Sequence, residues 1–158
     1  MIKINVELVN GGILPQKAHL WDACFDLHAR LEESVTIHPG MSKLIPCGFI
    51  IELPIGYKAC INPRSGLALK NCVTVLNSPG QIDSTYRGEV CAVIINHSLN
   101  DSFTVYNGDR IAQMSIDLVE MVAFNTVDKV SKGTDRGWKG FGSTGTSKNM
   151  PSDNSGIL

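Results

Sequence analysis

The sequence has no excess of charge of either sign and no long apolar run. Fourteen basic and fifteen acidic side chains leave a net charge of −1, so nothing attracts the chain generally to a nucleic-acid backbone or an anionic membrane. The longest uninterrupted apolar run, Val90 to Ile95, has six residues, whereas a membrane-spanning helix needs roughly 20. A strand-like pattern begins at Ile2 and leaves no room for a leader peptide. We therefore expect a soluble cytoplasmic protein that binds neither nucleic acid nor membrane.

Cysteine motifs and metal-ligand spacings are also missing. No two of the five cysteines form a CxxC pair, and their odd number argues against a disulfide framework. The four histidines have no partner at the spacing typical of metal ligands. We expect reduced cysteines packed as small apolar side chains and no zinc site.

Short segments of alternating apolar and polar residues are the dominant pattern that is present. Ile2, Ile4, Val6 and Leu8 alternate with polar residues, as in a half-buried strand. Glycine, proline and asparagine turns separate further segments of this kind, which predicts an all-β sandwich or barrel with one short helix at 65–70. The further predicted strands are 35–37, 44–53, 57–61, 73–76, 90–96, 103–106, 111–118 and 122–127.

The composition changes near Asp128. From Lys129 onward glycine, serine, threonine and asparagine replace most apolar residues, so this part of the chain cannot build its own core. We expect a β-barrel domain over 1–128, a flexible glycine-rich arm over 129–145, and a disordered tail over 146–158.

Glycines and charged residues concentrate in five segments of an otherwise lightly charged chain. Four of the five arginines lie in these segments, and the planar guanidinium suits phosphates and carboxylates. Surface ion pairs are the alternative interpretation for each arginine taken alone. The segments are 22–27, 63–68, 80–89, 108–113 and 136–145.

The last of these segments contains GFGSTG, which has the spacing GxGxxG. Only 13 residues follow Gly145, so no strand–loop–helix unit for a dinucleotide can form, and no Lys-Ser/Thr pair follows as in a phosphate-binding P-loop. Backbone N–H groups of glycines, with the Ser143 and Thr144 hydroxyls, still suit a phosphate. A flexible linker is the alternative. Candidate bases or ligands to metal-bound water are Asp26, Asp83 and Glu89, so the residues indicate a phosphate-rich ligand.

Taken together and in order, the five segments resemble the five motifs of the trimeric deoxyuridine triphosphatases (dUTPases). The resemblance runs from Asp22 to Gly145 and includes PRSGLA, GxIDxxYRGE, GDRIAQ and RGxxGFGSTG. It implies an antiparallel jelly-roll or β-barrel and a homotrimer with shared active sites. It also implies Mg²⁺-dependent hydrolysis of dUTP to dUMP and pyrophosphate, which limits uracil in DNA and supplies dUMP for thymidylate synthesis.

The resemblance also implies roles for individual residues. Asp83 matches the general base that deprotonates the water attacking the α-phosphorus. Tyr86 matches the tyrosine that packs on deoxyribose and excludes a 2′-hydroxyl. The hairpin residues Asn77, Gly80 and Ile82 match the uracil slot.

The remaining matches concern the phosphates and the metal. Asp26 resembles the acid that holds the water shell of Mg²⁺. Residues matching phosphate contacts are Arg64, Ser65, Gly66 and Gln113. In the arm, Phe141 matches the aromatic residue on uracil, and the residues matching the γ-phosphate grip are Arg136, Ser143 and Thr144. Gly142 is a further substrate-binding residue of the arm.

Two positions depart from the family pattern, and two other functions are compatible with parts of it. Cys24 stands where the first motif usually has glycine, and Thr85 replaces a common acidic residue.

A dCTP deaminase of the same fold is one alternative; the Asp-x-x-Tyr pair and the phenylalanine-containing arm favour the dUTPase. A dUTP-gated regulatory protein with an unknown protein partner is the other.

Overall fold

The structure is a computed structural model that describes residues 2–138. The chain divides into two units, Met1–Met121 and Val122–Leu158, and every strand and helix described lies in the first. No helix within residues 2–138 is long and apolar enough to cross a membrane. Residues 139–145 of the predicted arm, and the predicted tail, lie outside the described residues.

The first unit is built of short antiparallel strands, which confirms the predicted all-β class. Helix α1 (Ser65–Asn71) interrupts them and lies where the short helix was expected. The strands are β1 (Asn5–Leu8), β2 (Phe25–His28), β3 (Val35–Ile37), β4 (Ser42–Glu52), β5 (Tyr57–Asn62), β6 (Val73–Val75), β7 (Gly80–Ile82), β8 (Glu89–Asn96), β9 (Phe103–Val105) and β10 (Arg110–Leu118).

These strands form two four-stranded sheets and one two-stranded ribbon. The first sheet has the order β1-β4-β8-β6, the second has the order β2-β10-β5-β7, and β3 pairs with β9. Strands that are neighbours in a sheet are not consecutive along the chain. Pairing between distant segments therefore determines where the connecting loops lie. In the second sheet, β2 and β7 are the two edges.

A single apolar core lies between these elements. Strand β8 alternates strictly between half-buried and buried side chains, and buried residues of both large sheets, such as Phe49, Leu27 and Ile94, belong to one cluster. The one buried polar side chain in the described residues, Asn96, is fully hydrogen-bonded. Its amide donates to the carbonyls of Ile37 (3.0 Å) and Asp101 (2.8 Å), and its oxygen accepts from the Ser98 amide (2.9 Å).

Strand β4 bulges where the loop after β1 crosses it. The pairing of β4 with β8 shifts register between Pro46 and Ile50, and Gly48 within the bulge has φ of +77°. A Cβ on Gly12 would lie 2.6 Å from the Gly48 carbonyl carbon, so the two main chains are in direct contact. Glu89 holds the bulge because its Oε1 accepts the Gly48 amide proton at 2.9 Å.

The prediction of a strand at 122–127 is wrong. These residues carry no strand pairing, and their side chains are exposed in the structure. Apolar residues such as Phe124 and Val122 suggest a strand locally, but a strand forms only where a neighbouring strand accepts its hydrogen bonds.

Candidate active site

The predicted nucleoside residues come together at one cleft, which we call the hairpin cleft. It has a volume of about 320 Å³, and its walls include the buried side chains of Val75, Val90 and Ala92. The loop from β6 to β7, β7 itself and the turn that leads to β8 contribute the rest; β7 pairs with β5 and not with β8. The predicted residues that line it are Asn77, Gly80, Ile82, Asp83 and Tyr86.

The turn after β7 fixes Asp83 and Tyr86 relative to each other. The Tyr86 amide donates to the Asp83 carbonyl at 3.1 Å. Arg87 folds back over the turn, and its Nη1 donates to the Ser84 carbonyl at 2.7 Å and the Tyr86 carbonyl at 2.8 Å. Thr85 is exposed on this turn, so its departure from the family pattern leaves these contacts in place.

The Tyr86 side chain lies against the main chain at the start of β8. Its hydroxyl donates to the Glu89 carbonyl at 3.1 Å, and its ring passes over Gly88. The side chain of Glu89 is itself held by Arg30, with Nε–Oε1 at 3.1 Å and Nη2–Oε2 at 2.8 Å. Bidentate pairs of this kind fix orientation as well as position.

The predicted phosphate residues gather at a second cleft, which we call the arginine cleft. Its volume is about 410 Å³, and Arg110 and Cys24 lie among its walls. Strands β2 and β10 and the start of α1 position these side chains. The predicted residues that line it are Asp26, Arg64, Ser65, Gly66 and Gln113.

Asp26 lies between two guanidinium groups in the arginine cleft. Its Oδ1 is 3.3 Å from Arg64 Nε and its Oδ2 is 3.2 Å from Arg110 Nη1, and its side chain is only 18% exposed. Arg64 Nη1 also donates to the Arg110 carbonyl at 2.9 Å. The cleft therefore combines two guanidinium groups with two carboxylates, those of Asp26 and Asp22, and the guanidinium groups are the part of it that can hold an anion.

Strand pairing places Gln113 beside Asp26. These two residues are register partners of β10 and β2, and Gln113 Nε2 donates to the Pro63 carbonyl at 2.9 Å. That bond ties β10 to the segment that precedes α1, where Arg64 lies. The arrangement explains why residues of three distant motifs reach one cleft.

His28, two residues beyond Asp26 on β2, was not predicted as part of the site. Its Nδ1 is buried without a hydrogen-bond partner in the described part of the chain. Burial lowers the pKa of His28, and the charges of Arg110 and Arg64 lower it further, whereas Asp26 opposes this shift. The imidazole is therefore held towards its neutral form. No sequence signal distinguishes His28 from an ordinary strand residue.

Arg110 is the other residue that the sequence analysis left without a role. Its guanidinium group pairs with Asp26 of the first motif, and its carbonyl accepts a hydrogen bond from Arg64 of the second motif. Arg110 itself belongs to the fourth motif, so it connects the three. The GDRIAQ motif contained the signal, because Arg110 is the one cation within it.

Cys24 occupies its position without a strained backbone. Cys72 is the only non-glycine residue of 2–138 with positive φ, so the position of Cys24 does not require the left-handed conformation that glycine favours. Burial, with the nearby charge of Asp117, raises the pKa of the Cys24 thiol, and Lys17 lowers it.

The two clefts draw on different strands of the second large sheet. Edge strand β2 and its neighbour β10 supply Asp26, Arg110 and Gln113 to the arginine cleft, whereas edge strand β7 and its neighbour β5 line the hairpin cleft. The first unit therefore brings the predicted residues together as two groups rather than one. Arg136 lies in the second unit, and Phe141, Gly142, Ser143 and Thr144 lie outside the described residues.

Comparison with known proteins identifies relatives over most of the chain. Residues 11–145 match the dUTPase family. A deoxyuridine 5′-triphosphate nucleotidohydrolase of Neorickettsia sennetsu is 47% identical over 133 residues, which is 84% of this chain and 88% of the relative. Another of that name, from Trichodesmium erythraeum, is 54% identical over 134 residues, or 85% of this chain and 92% of the relative.

Solved structures show the same fold at lower identity. The dUTPase of Staphylococcus bacteriophage 80alpha with dUPNHPP has a TM-score of 0.83 at 24% identity and covers 92% of this chain and all of that one. A mutant dUTPase of phage phi11 of S. aureus, described with a structural Mg(II) ion, has a TM-score of 0.73 at 21% identity and covers 81% and 98%. These likenesses confirm the predicted fold.

Proposed function

The chain belongs to the dUTPase family, and from this premise we propose that it hydrolyses dUTP to dUMP and pyrophosphate. The observation that carries the proposal is the hairpin cleft, where Asp83 and Tyr86 are held on one turn beside a narrow cavity. The cavity for the nucleobase, the aromatic ring that faces the sugar and the carboxylate of Asp83 can then all contact one nucleotide.

The hairpin cleft supports recognition of a pyrimidine deoxynucleoside. Main-chain groups of β7 and the Asn77 side chain line the cavity together with apolar walls, so a flat base fits between them. Tyr86 at the rim suits the face of a deoxyribose, where a 2′-hydroxyl would collide with the ring. A thymine methyl group would overfill the cavity and cost about 1–3 kcal/mol.

In this proposal Asp83 is the general base that accepts the proton. It is exposed at the cleft, where a carboxylate can orient a water molecule and accept its proton as the oxygen attacks the α-phosphorus. The new bond joins that oxygen to the α-phosphorus, and the bond to the oxygen bridging towards the β-phosphorus breaks. The products are dUMP and pyrophosphate.

The arginine cleft supports binding of the triphosphate. Arg64 and Arg110 supply positive charge, and the Ser65 hydroxyl and Gln113 amide supply neutral donors. The carboxylate of Asp26 offsets part of that charge. In the proposal, the arm residues Arg136, Phe141, Gly142, Ser143 and Thr144 complete the site around uracil and the γ-phosphate.

Mg²⁺ fits the arginine cleft through water rather than through a protein cage. No group of three or more His, Cys, Asp or Glu within residues 2–138 is placed to hold a metal ion. Two carboxylates, Asp26 and Asp22, line the cleft with the phosphate residues, and so few carboxylates suit a hydrated ion that binds mainly to phosphate oxygens. Bound there, Mg²⁺ would neutralise charge on the phosphates, and Asp26 would hold its water shell.

A homotrimer with shared sites supports this chemistry best. The nucleoside residues and the phosphate residues line two separate clefts of the first unit, and a neighbouring subunit can bring its arginine cleft to this hairpin cleft. In this arrangement the arm comes from the third chain. The reaction would keep dUTP scarce, so that little uracil enters DNA, and would supply dUMP for thymidylate synthesis.

Product analysis tests the proposed function. Full-length protein with Mg²⁺ is incubated separately with dUTP, dCTP, dTTP, dATP and dGTP, and both pyrophosphate and ammonia are measured. We expect pyrophosphate from dUTP and little from the others. Ammonia from dCTP would identify a deaminase and contradict the proposal, as would the absence of any dUTP turnover.

A further inference from the structure

We propose that Gly88 is a specificity-determining position: by lacking a Cβ it sets where the Tyr86 ring lies, and so the size of the sugar side of the hairpin cleft. Gly88 makes no contact with substrate in this proposal and acts only through Tyr86. The inference deepens the proposed function and rests on it.

The space above Gly88 is filled by the ring. A Cβ built on Gly88 would lie 2.6 Å from Tyr86 Cζ and 3.0 Å from Tyr86 Cε2, and closer still to the hydroxyl oxygen. The backbone of Gly88 is outside the left-handed region, so its conformation does not itself require glycine. Only the position of the ring requires it.

The clash at Gly88 differs from the clash at Gly12. A Cβ on Gly12 would meet main-chain atoms of Gly48, which cannot move without disturbing β4. The three atoms nearest to a Cβ on Gly88 all belong to the outer end of the Tyr86 side chain, and Tyr86 is 46% exposed. Alanine at 88 should therefore displace the ring and leave the fold intact.

The ring is held over Gly88 by its hydroxyl end. Its hydroxyl donates to the Glu89 carbonyl at 3.1 Å, and Glu89 is fixed by Arg30 and by the Gly48 amide. The acceptor, the Glu89 carbonyl, thus belongs to the first residue of β8, whose side chain is held in place. A ring pushed away by a methyl group at 88 loses this bond, and the wall that it forms at the cleft moves with it.

The consequence is a loss of sugar discrimination. If the ring excludes a 2′-hydroxyl by contact, a displacement of a few tenths of an ångström to one ångström changes that exclusion directly. The turn that carries Asp83 is held by Arg87 and by main-chain bonds, which do not involve the ring. We therefore expect a change in the preference for dUTP over UTP that exceeds the change in dUTP turnover.

A double-mutant cycle on the full chain tests this. The ratio of kcat/KM for dUTP to that for UTP is measured in the wild type, Gly88→Ala, Tyr86→Ala and the double variant. We expect Gly88→Ala to lower the ratio at least about tenfold in the wild-type background. In the Tyr86→Ala background it should change the ratio less than about twofold, because the ring through which it acts is absent. Gly56→Ala, where an added Cβ meets nothing within 4 Å, is the control and should leave the ratio unchanged.

Each outcome of the cycle decides the question. A wild type that does not hydrolyse dUTP contradicts the proposed function rather than the role of Gly88. An active wild type whose ratio survives Gly88→Ala overturns the inference, and so does an equal effect in both backgrounds. If Gly88→Ala does not fold, folding of the double variant supports the clash with the ring, whereas failure of both shows that the main chain needs glycine and overturns the inference.

Discussion

Asp26 and Asp83 are both carboxylates of the candidate site, but their surroundings give them different chemistry. Asp26 is mostly buried and contacts Arg64 and Arg110, so its charge is already engaged. Asp83 is exposed and has no ion pair within residues 2–138, so its oxygens are available to a water molecule. At the scale of single residues, this contrast supports Asp83 as the base and Asp26 as an electrostatic partner of the phosphate residues.

Replacing Asp83 by asparagine should abolish hydrolysis while leaving binding intact. The amide has the shape of the carboxylate but cannot accept the proton, so the rate should fall about 10²–10⁴-fold. Calorimetry with a non-hydrolysable dUTP analogue should give an affinity near that of the wild type. Turnover of dUTP at the wild-type rate would remove Asp83 from this role.

The five cysteines should differ sharply in reactivity. Burial raises the pKa of Cys47 to about 12, so at pH 8 only about one thiol in ten thousand is ionised. Burial also raises the pKa values of Cys24, Cys60 and Cys91, whereas Cys72 is exposed. Mass spectrometry after brief alkylation of the native protein should find Cys72 labelled first and Cys47 last. In denaturant all five should react alike, and early labelling of native Cys47 would show that its strand opens readily.

At the scale of elements, the sequence predicts those that local pattern determines. Strand β8 and helix α1 lie where alternation and turn residues placed them. The short strands β2 and β7 were seen only as charged or glycine-rich segments, because FDLH and GQI carry too few alternating residues to stand out. The position of β2 depends on pairing with β10 and that of β7 on pairing with β5, and no local pattern encodes either pairing. The motifs therefore predict which residues line the clefts, whereas the pairing of the strands determines that these residues form two clefts and not one.

The contact between Gly12 and Gly48 should be the most glycine-dependent element of the fold. Alanine at Gly48 meets both a positive φ of +77° and the Gly12 Cα at 2.5 Å, so we expect a loss of about 2–5 kcal/mol in unfolding free energy. Alanine at Gly56 meets a positive φ of +86° in open space and should lose only about 1 kcal/mol. Urea denaturation at one fixed protein concentration measures both. Equal losses would mean that the crossing relaxes at little cost.

At the scale of the whole molecule, the division of the site predicts complementation between subunits. Asp83→Asn damages the hairpin cleft and Arg64→Ala damages the arginine cleft, so each variant alone should be nearly inactive. If each site joins clefts of two subunits, refolding the two variants together in equal amounts should restore about a quarter of the sites by random assortment. Mixing without unfolding is the control. Sedimentation of each variant as a trimer should accompany the recovery, and absence of recovery in verified mixed trimers would place both clefts of a site on one chain.

The position of β2 and β7 at opposite edges of one sheet has a consequence for enzymology at low concentration. If half of a catalytic centre arrives with another chain, as we propose, the specific activity is a property of an association equilibrium as well as of a single chain. Dilution below the dissociation constant of the trimer should then lower the rate per subunit steeply, and substrate, by bridging the two halves, should resist that loss. A rate per subunit that stays constant on dilution would report either an assembly too tight to dissociate or a monomer that works alone, and sedimentation at the same concentrations separates the two.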